Sequence, residues 1–263
     1  MKRERADKVM VDRGLAESRH KAQAMIMAGL VWAEGKRVEK PGQRIRSDEK
    51  ILIRERMPYV SRGGLKLEET LNAFKISVKQ AIAADLGAST GGFTDCLLQR
   101  GAKRVYAVDV NARQLDWRLR EDPRVVQIEK NARYLVRDDF PEALDVVTMD
   151  LAFISVLKVM PAVREFIGEG KLLALIKPQF EVGRGEVGKK GIVRDLRLHQ
   201  EVLWTIATEA YRIGFQLQGL HRTSLRGQKG NQEFFAYWIP AKEPFDPIRV
   251  KRFIREVVWN ERN

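Results

Sequence analysis

Ala83-Ala84-Asp85-Leu86-Gly87-Ala88-Ser89-Thr90-Gly91-Gly92-Phe93-Thr94-Asp95 is the stretch on which the fold turns. A short apolar run ends in an acidic residue, crosses a glycine-rich turn and opens into Phe93-Thr94-Asp95-Cys96-Leu97-Leu98, whose apolar spacing is helical. The pattern predicts a strand, a tight loop and a helix. Glycines at 87, 91 and 92 let the backbone turn sharply and approach a ligand with no side chain in between. Arg104-Val105-Tyr106-Ala107-Val108-Asp109 reads as the next strand, and Asp109, 22 residues after Gly87, is placed to accept the hydroxyls of a ribose. Gly87, Ser89 and Gly92 do not spell G-x-G-x-x-G, the spacing that a dinucleotide pyrophosphate prefers. A nucleoside without pyrophosphate fits better, and S-adenosylmethionine is the commonest such cofactor. The competing reading is a structural turn in some other α/β protein.

Outward from this loop, residues 80–240 alternate between strand and helix patterns. Strands are expected at 82–86, 105–109, 125–129, 144–149, 170–176, 216–220 and 233–238, with helical stretches at 93–99, 115–119, 156–167 and 198–214. That is an α/β fold with a mostly parallel, doubly wound sheet and an antiparallel strand at its end. Residues 248–258 form a basic amphipathic helix pattern.

Three ionisable residues fall at strand ends and one on a helix. Asp150 follows the apolar run Val146-Val147-Thr148-Met149, and Lys177 follows Leu172 to Ile176, with Pro178 forcing the chain out of the ladder. Glu233 opens the last strand, and Lys66 sits near the start of a helix running through Leu67, Leu71 and Phe74. Open α/β sheets bind ligands along the carboxyl edge of their strands, so the four are expected to converge there beside the glycine loop. Such a set suits methyl transfer to a ribose 2'-hydroxyl, a poor nucleophile that must lose its proton as it attacks. An amine takes that proton only when it is itself neutral, a state that burial or a neighbouring cation favours. Lys66 and Lys177 would be neighbours of this kind, with Asp150 and Glu233 orienting them; which lysine is the base stays open. Taken singly, each of these residues is equally well an ordinary surface or edge charge.

The chain has 263 residues, enough for one α/β domain and a small module. It carries 48 Lys and Arg against 35 Asp and Glu, a formal charge of +13. The excess suits a polyanion such as nucleic acid, with an anionic membrane surface as the rival. Cys96 is the single cysteine, so no internal disulfide forms and a cytoplasmic protein is expected. No signal peptide and no run of 18 apolar residues is seen. Neither a metal site nor stable membrane association is expected, and the protein is expected to be a monomer.

The small module spans residues 1–57, ahead of a linker at 58–62 marked by Pro58, with the larger domain at 63–263. Asp7 to Leu15 suggests a short helix ended by Gly14, and Ser18 can cap a second whose buried face is Ala22, Met25 and Ile26. Extended pieces are expected near 30–32, 37–38 and 50–54. Residues 1–62 hold 16 basic against 9 acidic residues. Arg3, Arg5, Arg13, Arg19, Lys21, Lys36, Arg37 and Arg44, with Arg62 beyond them, are the candidates for RNA phosphate contacts. A merely solvated basic face is the alternative.

With these residues in view, the chain resembles the TlyA family of ribosomal RNA 2'-O-methyltransferases, also known as haemolysins. The N-terminal module resembles the RNA-binding domain of ribosomal protein S-four type through Arg5-Ala6-Asp7, Gly14-Leu15-Ala16-Glu17-Ser18-Arg19, Ala28-Gly29-Leu30-Val31 and Lys40-Pro41-Gly42. The remainder resembles an FtsJ-type, Rossmann-like methyltransferase domain. The residues that carry this are Tyr59 to Leu67, the Gly87 to Asp95 loop, Asp116-Trp117, Asp122-Pro123-Arg124-Val125, Asp150-Leu151, Lys177-Pro178-Gln179-Phe180-Glu181 and Gly230-Asn231-Gln232-Glu233. The resemblance implies a catalytic Lys66, Asp150, Lys177 and Glu233. It implies S-adenosylmethionine contacts from Asp85, Gly87, Ala88, Ser89, Thr90, Gly91, Gly92, Phe93, Asp109, Asn131, Ala132 and Asp150. The implied substrate is cytidine ribose in ribosomal RNA, presented as free RNA or assembled subunits, in the large subunit and also the small one. Asn111 in place of a glycine, a shortened segment at 129–133 and Leu225 in place of a proline depart from the pattern.

Overall fold

Two units make up the chain, residues Met1–Pro58 and Tyr59–Asn263. The computed structural model describes residues 3–53, 57–183, 187–188 and 191–259. Arg54 of an expected strand and Arg56 next to the expected linker lie outside the described residues.

In the small unit, β1 (Arg3–Arg5) pairs antiparallel with β4 (Arg44–Arg46), while β2 (Val31–Ala33) lies between β3 (Lys36–Arg37) and β5 (Ile51–Ile53). Neither β1 nor β4 shows in the sequence pattern. Their Arg-Glu-Arg and Arg-Ile-Arg triplets expose two of three side chains, leaving too little apolar alternation to read. Helices α1 (Ala6–Asp12) and α2 (Arg19–Met27) pack over a core of Val9, Met10, Ala22, Ile26, Val31, Val38 and Ile45. Ser18 caps α2 by accepting from the Lys21 N–H at 3.2 Å, as its position predicts.

The larger unit contains α3 (Arg62–Ala73), β6 (Ile82–Leu86), α4 (Gly92–Gln99), β7 (Arg104–Asp109), α5 (Trp117–Arg120) and β8 (Val125–Glu129). It continues through β9 (Val146–Met149), α6 (Met160–Phe166), β10 (Lys171–Ile176), α7 (Pro178–Glu181), α8 (Leu196–Ile213), β11 (Phe215–Arg222), β12 (Phe234–Pro240) and α9 (Pro247–Trp259). The seven strands lie in the order β11-β12-β10-β9-β6-β7-β8. β6 to β10 are mutually parallel, and β12 runs antiparallel between β10 and β11.

Strand residues alternate between two cores. Leu172, Ala174 and Ile176 pack with residues of α6, α8 and α9, whereas Leu173 and Leu175 pack with Leu67 and Leu71 of α3 and Leu97 of α4. Both faces are covered, which is why Leu172–Ile176 reads as an unbroken apolar run. Residues 59–62, expected as linker, pack into the larger unit: Tyr59 is buried in its core and the Val60 N–H donates to Asp95 at 2.8 Å.

From β6 the chain winds outward to β7 and β8, then crosses back to β9 on the other side of β6. The loops after β6 and β9 therefore diverge, and a crevice opens between them at the carboxyl edge.

Candidate active site

The β6–α4 loop is shaped by what its glycines leave out. Gly87 has φ +83°, and a Cβ there would lie 2.5 Å from the Asp150 carbonyl oxygen; at Gly92 a Cβ would overlap the Ser61 hydroxyl. Only bare backbone lets the loop pass this close to the start of the β9 loop and of α3. Asp109 reaches under the turn, where its carboxylate accepts the N–H groups of Ser89 at 2.9 Å and Asn111 at 3.0 Å.

Asp85 is fully buried at the end of β6. Its two oxygens accept the hydroxyl protons of Thr94 at 2.7 Å and Thr148 at 3.0 Å, the second from the residue opposite it on β9. Burial pushes its carboxyl up to about 7; the two hydroxyls oppose the shift and the charge of Asp150 adds to it.

The four candidate catalytic residues meet in one cavity of about 630 Å³. Lys66 Nζ lies 2.5 Å from Glu233 Oε2, and Lys177 Nζ lies 2.6 Å from Asp150 Oδ1. The first pair spans 167 residues of sequence and joins the first turns of α3 to the entry of β12. Asp150 and Lys177 leave the parallel strands β9 and β10 at their carboxyl ends. Glu233 reaches the same edge because β12 is antiparallel and begins there. Gly227 makes room for Glu233, since a methyl at 227 would overlap its carboxylate.

Asp85, Gly87, Ala88, Ser89, Thr90, Gly92 and Phe93 line the same cavity. Gly91, Asp109, Asn131 and Ala132 are not among its lining residues; Ala132 is buried, and Asn131 accepts from the Arg133 N–H at 3.0 Å. Arg62, grouped by sequence with the basic residues of the small module, instead lines this cavity at the first turn of α3.

The RNA-contact candidates of the small unit divide by chemistry. Arg5 and Arg19 both donate to the buried carboxylate of Asp7, with Gln23 as a further donor, so each spends part of its hydrogen-bonding capacity on the fold. Arg3, Lys21 and Lys36 are exposed, and the guanidinium of Arg37 lies over Gly29.

Sequence reasoning missed an aromatic wall. Phe153 is 89% exposed with φ +65°, a left-handed conformation unusual for a bulky residue, and its ring lies 5.1 Å from that of Phe180. Both line the cavity, and Lys177 Nζ sits 6.0 Å from the Phe180 ring. Gln179 Oε1, also at the cavity, is buried without a hydrogen-bond partner among the described residues. The only signal in the sequence was the close spacing of these residues to Asp150 and Lys177.

This geometry has counterparts among known proteins. Residues 59–238 match the FtsJ-like methyltransferase family, and residues 4–51 match the S4 domain. Hemolysin A of Brachyspira hyodysenteriae is 41% identical over 238 residues, covering 89% of this chain and 99% of that one. The 16S/23S rRNA (cytidine-2'-O)-methyltransferase TlyA of Mycobacterium tuberculosis is 40% identical over 240 residues, 90% of each chain. A solved structure from Streptococcus thermophilus, described as a candidate hemolysin, shares 41% identity with a TM-score of 0.74 over 98% of this chain and 96% of its own. A methyltransferase match of this extent, following an S4 match at residues 4–51 and coinciding with the cavity, means that the chain belongs to the FtsJ-like methyltransferase family.

Proposed function

We propose that the protein methylates the ribose 2'-hydroxyl of cytidine in ribosomal RNA, in the large subunit and also in the small one. The observation that carries this reading is the pair of lysine–carboxylate contacts, Lys66 with Glu233 and Lys177 with Asp150, in one cavity with the glycine loop. S-adenosylmethionine, when bound, would supply a methyl group made electrophilic by its sulfonium, whose bond to that methyl breaks with the electron pair left on sulfur as a neutral thioether. The cavity suits it: Gly87 and Gly92 leave the backbone bare, and the carboxylates of Asp85 and Asp150 face a cationic ligand. Asp109 contributes by holding the Ser89 N–H.

Lys66 or Lys177 takes the 2'-hydroxyl proton on Nζ as the sugar oxygen bonds to the methyl carbon, and the carboxylate beside that lysine receives the new ammonium. The rings of Phe153 and Phe180 offer a stacking surface for the base at the cavity mouth. Arg3, Lys21 and Lys36 of the S4 unit, with part of Arg5 and Arg19, neutralise RNA phosphates. A ribosomal substrate puts the protein in the cytoplasm. Among the described residues no helix is long and apolar enough to cross a membrane.

Mass spectrometry of ribosomal RNA from cells lacking the protein, and from cells complemented with wild type, Lys66→Ala or Glu233→Gln, tests the proposal. Cytidine ribose methylation is expected to return with wild type and to fall about 10²- to 10⁴-fold with either variant. No difference in ribose methylation between cells with and without the protein refutes it.

A further inference from the structure

A second ligand surface lies away from the catalytic cavity, where α9 packs on α8. Gln200, Trp204, Lys251, Ile254, Arg255 and Trp259 line a groove of about 800 Å³. Trp259 is 46% exposed, yet its indole N–H is fixed by Gln200 Oε1 at 3.1 Å, so the ring presents a set face to solvent. Lys251 Nζ stands 5.4 Å from the Trp204 ring. α9 bears Arg249, Lys251, Arg252 and Arg255 against a single acid, Glu256, and none of these four cations is in an ion pair among the described residues. An exposed indole among uncompensated cations is what an unstacked nucleobase and its phosphates require.

The groove also points toward the chemistry. Lys251 meets Trp204 and Trp259 meets Gln200, so α9 runs antiparallel to α8 and ends near the first turns of α8. Those turns are tied to the cavity: His199 Nε2 contacts the Val193 carbonyl at 3.1 Å, and the Val193 N–H donates at 3.0 Å to Asn231, a cavity residue.

We infer that this groove binds a single-stranded stretch of the RNA substrate, with a base stacked on Trp259 and phosphates on Lys251 and Arg255. The inference rests on the reading of the substrate as ribosomal RNA. It adds a site on the methyltransferase unit to the basic residues of the S4 unit.

The test uses the full chain and an unstructured RNA of about ten nucleotides bearing a photoreactive uridine. Crosslinking is expected in the peptide that contains Trp259. Trp259→Ala is expected to weaken binding about tenfold and Trp259→Phe to retain most of it, since stacking needs only an aromatic face. Lys251→Glu combined with Arg255→Glu is expected to lower the salt dependence by about 1.4 in the logarithmic slope, the share of two phosphates. Calorimetric titration with S-adenosylmethionine is expected to match wild type for every variant. A wild type that binds neither cofactor nor methylates RNA undoes the functional reading while leaving the crosslink readable. Crosslinks confined to residues 1–58, or equal affinity in all variants, overturn the inference. So does a defect seen with whole subunits and not with naked RNA, which assigns the groove to a protein partner.

Discussion

Replacing Asp85 by asparagine tests the electrostatics of the cavity most directly. The fold holds the Asp85 carboxyl at about 7 against an ordinary 3.8, chiefly because burial penalises its charge. At about 1.4 kcal/mol per pH unit, that gap is worth about 4 kcal/mol. Between these two values the folded chain binds more protons than the unfolded one. Stability from this group is therefore complete below about pH 4, declines as pH rises, and levels off above about pH 7. In Asp85→Asn the new amide donates to Thr148 Oγ1, whose own proton can turn to the Ala84 carbonyl at 3.4 Å. Thr94 keeps an acceptor, so the exchange costs about 1 kcal/mol where the aspartate is protonated. The variant is thus expected to be weaker than wild type by up to about 1 kcal/mol below pH 4, to match it near pH 4.5 and to be stronger by about 3 kcal/mol near pH 8. Urea unfolding of the larger unit at intervals across that range measures the difference. Asp85 also lines the cavity, so a cationic cofactor should draw off its proton, and calorimetry near pH 6.5 in buffers of different ionisation enthalpy should detect the release in wild type only. A wild type-to-variant difference that stays constant from acid to alkaline pH refutes the reasoning.

Three further substitutions probe other links. Gly168→Ala, at φ +57° with nothing within 4 Å of the added methyl, carries only the left-handed backbone cost of about 1–2 kcal/mol. Gly87→Ala adds collision with the Asp150 carbonyl, about 1–3 kcal/mol more, and disturbs the Asp150–Lys177 pair. Thermal unfolding is expected to fall about 2–4 °C per kcal/mol in each, with methylation lost only in Gly87→Ala; equal behaviour counts against the close-approach argument. In the small unit, hydrogen bonding from Arg5 holds the Asp7 carboxyl far below its ordinary value. Its stabilisation is present above about pH 4 and is lost as pH falls below that. Asp7→Asn should cost about 1–3 kcal/mol at neutral pH and erase this acid dependence. Hydrogen exchange of the α1 and α2 amides reads both effects, and exchange unchanged by the substitution contradicts the clustering of Arg5, Arg19 and Gln23 on Asp7.

The β6–loop–α4 unit, the alternation of strands and helices through residues 80–240, and the strand-end places of Asp150, Lys177 and Glu233 were legible in the chain. Each follows from local causes: apolar periodicity, glycine where backbone must turn, proline where a ladder must stop. Phe153 was not legible, because an exposed aromatic looks like any loop residue until its backbone conformation is known. The α8–α9 groove was not legible either. Its basic helix is visible in sequence, but Trp204 and Trp259 stand 55 residues apart and meet only when the helices pack. Arg62 shows the reverse case, a charge counted with the small module until the start of α3 carried it to the cavity.

By itself the sequence determined the α/β class, the glycine-rich loop after β6 and the ionisable residues at the strand ends, since these depend on chemistry within a few residues. Only the tertiary structure decided which carboxylate meets which lysine. Lys66 and Glu233 are brought together by the antiparallel placement of β12, and no local rule specifies a partner 167 residues away.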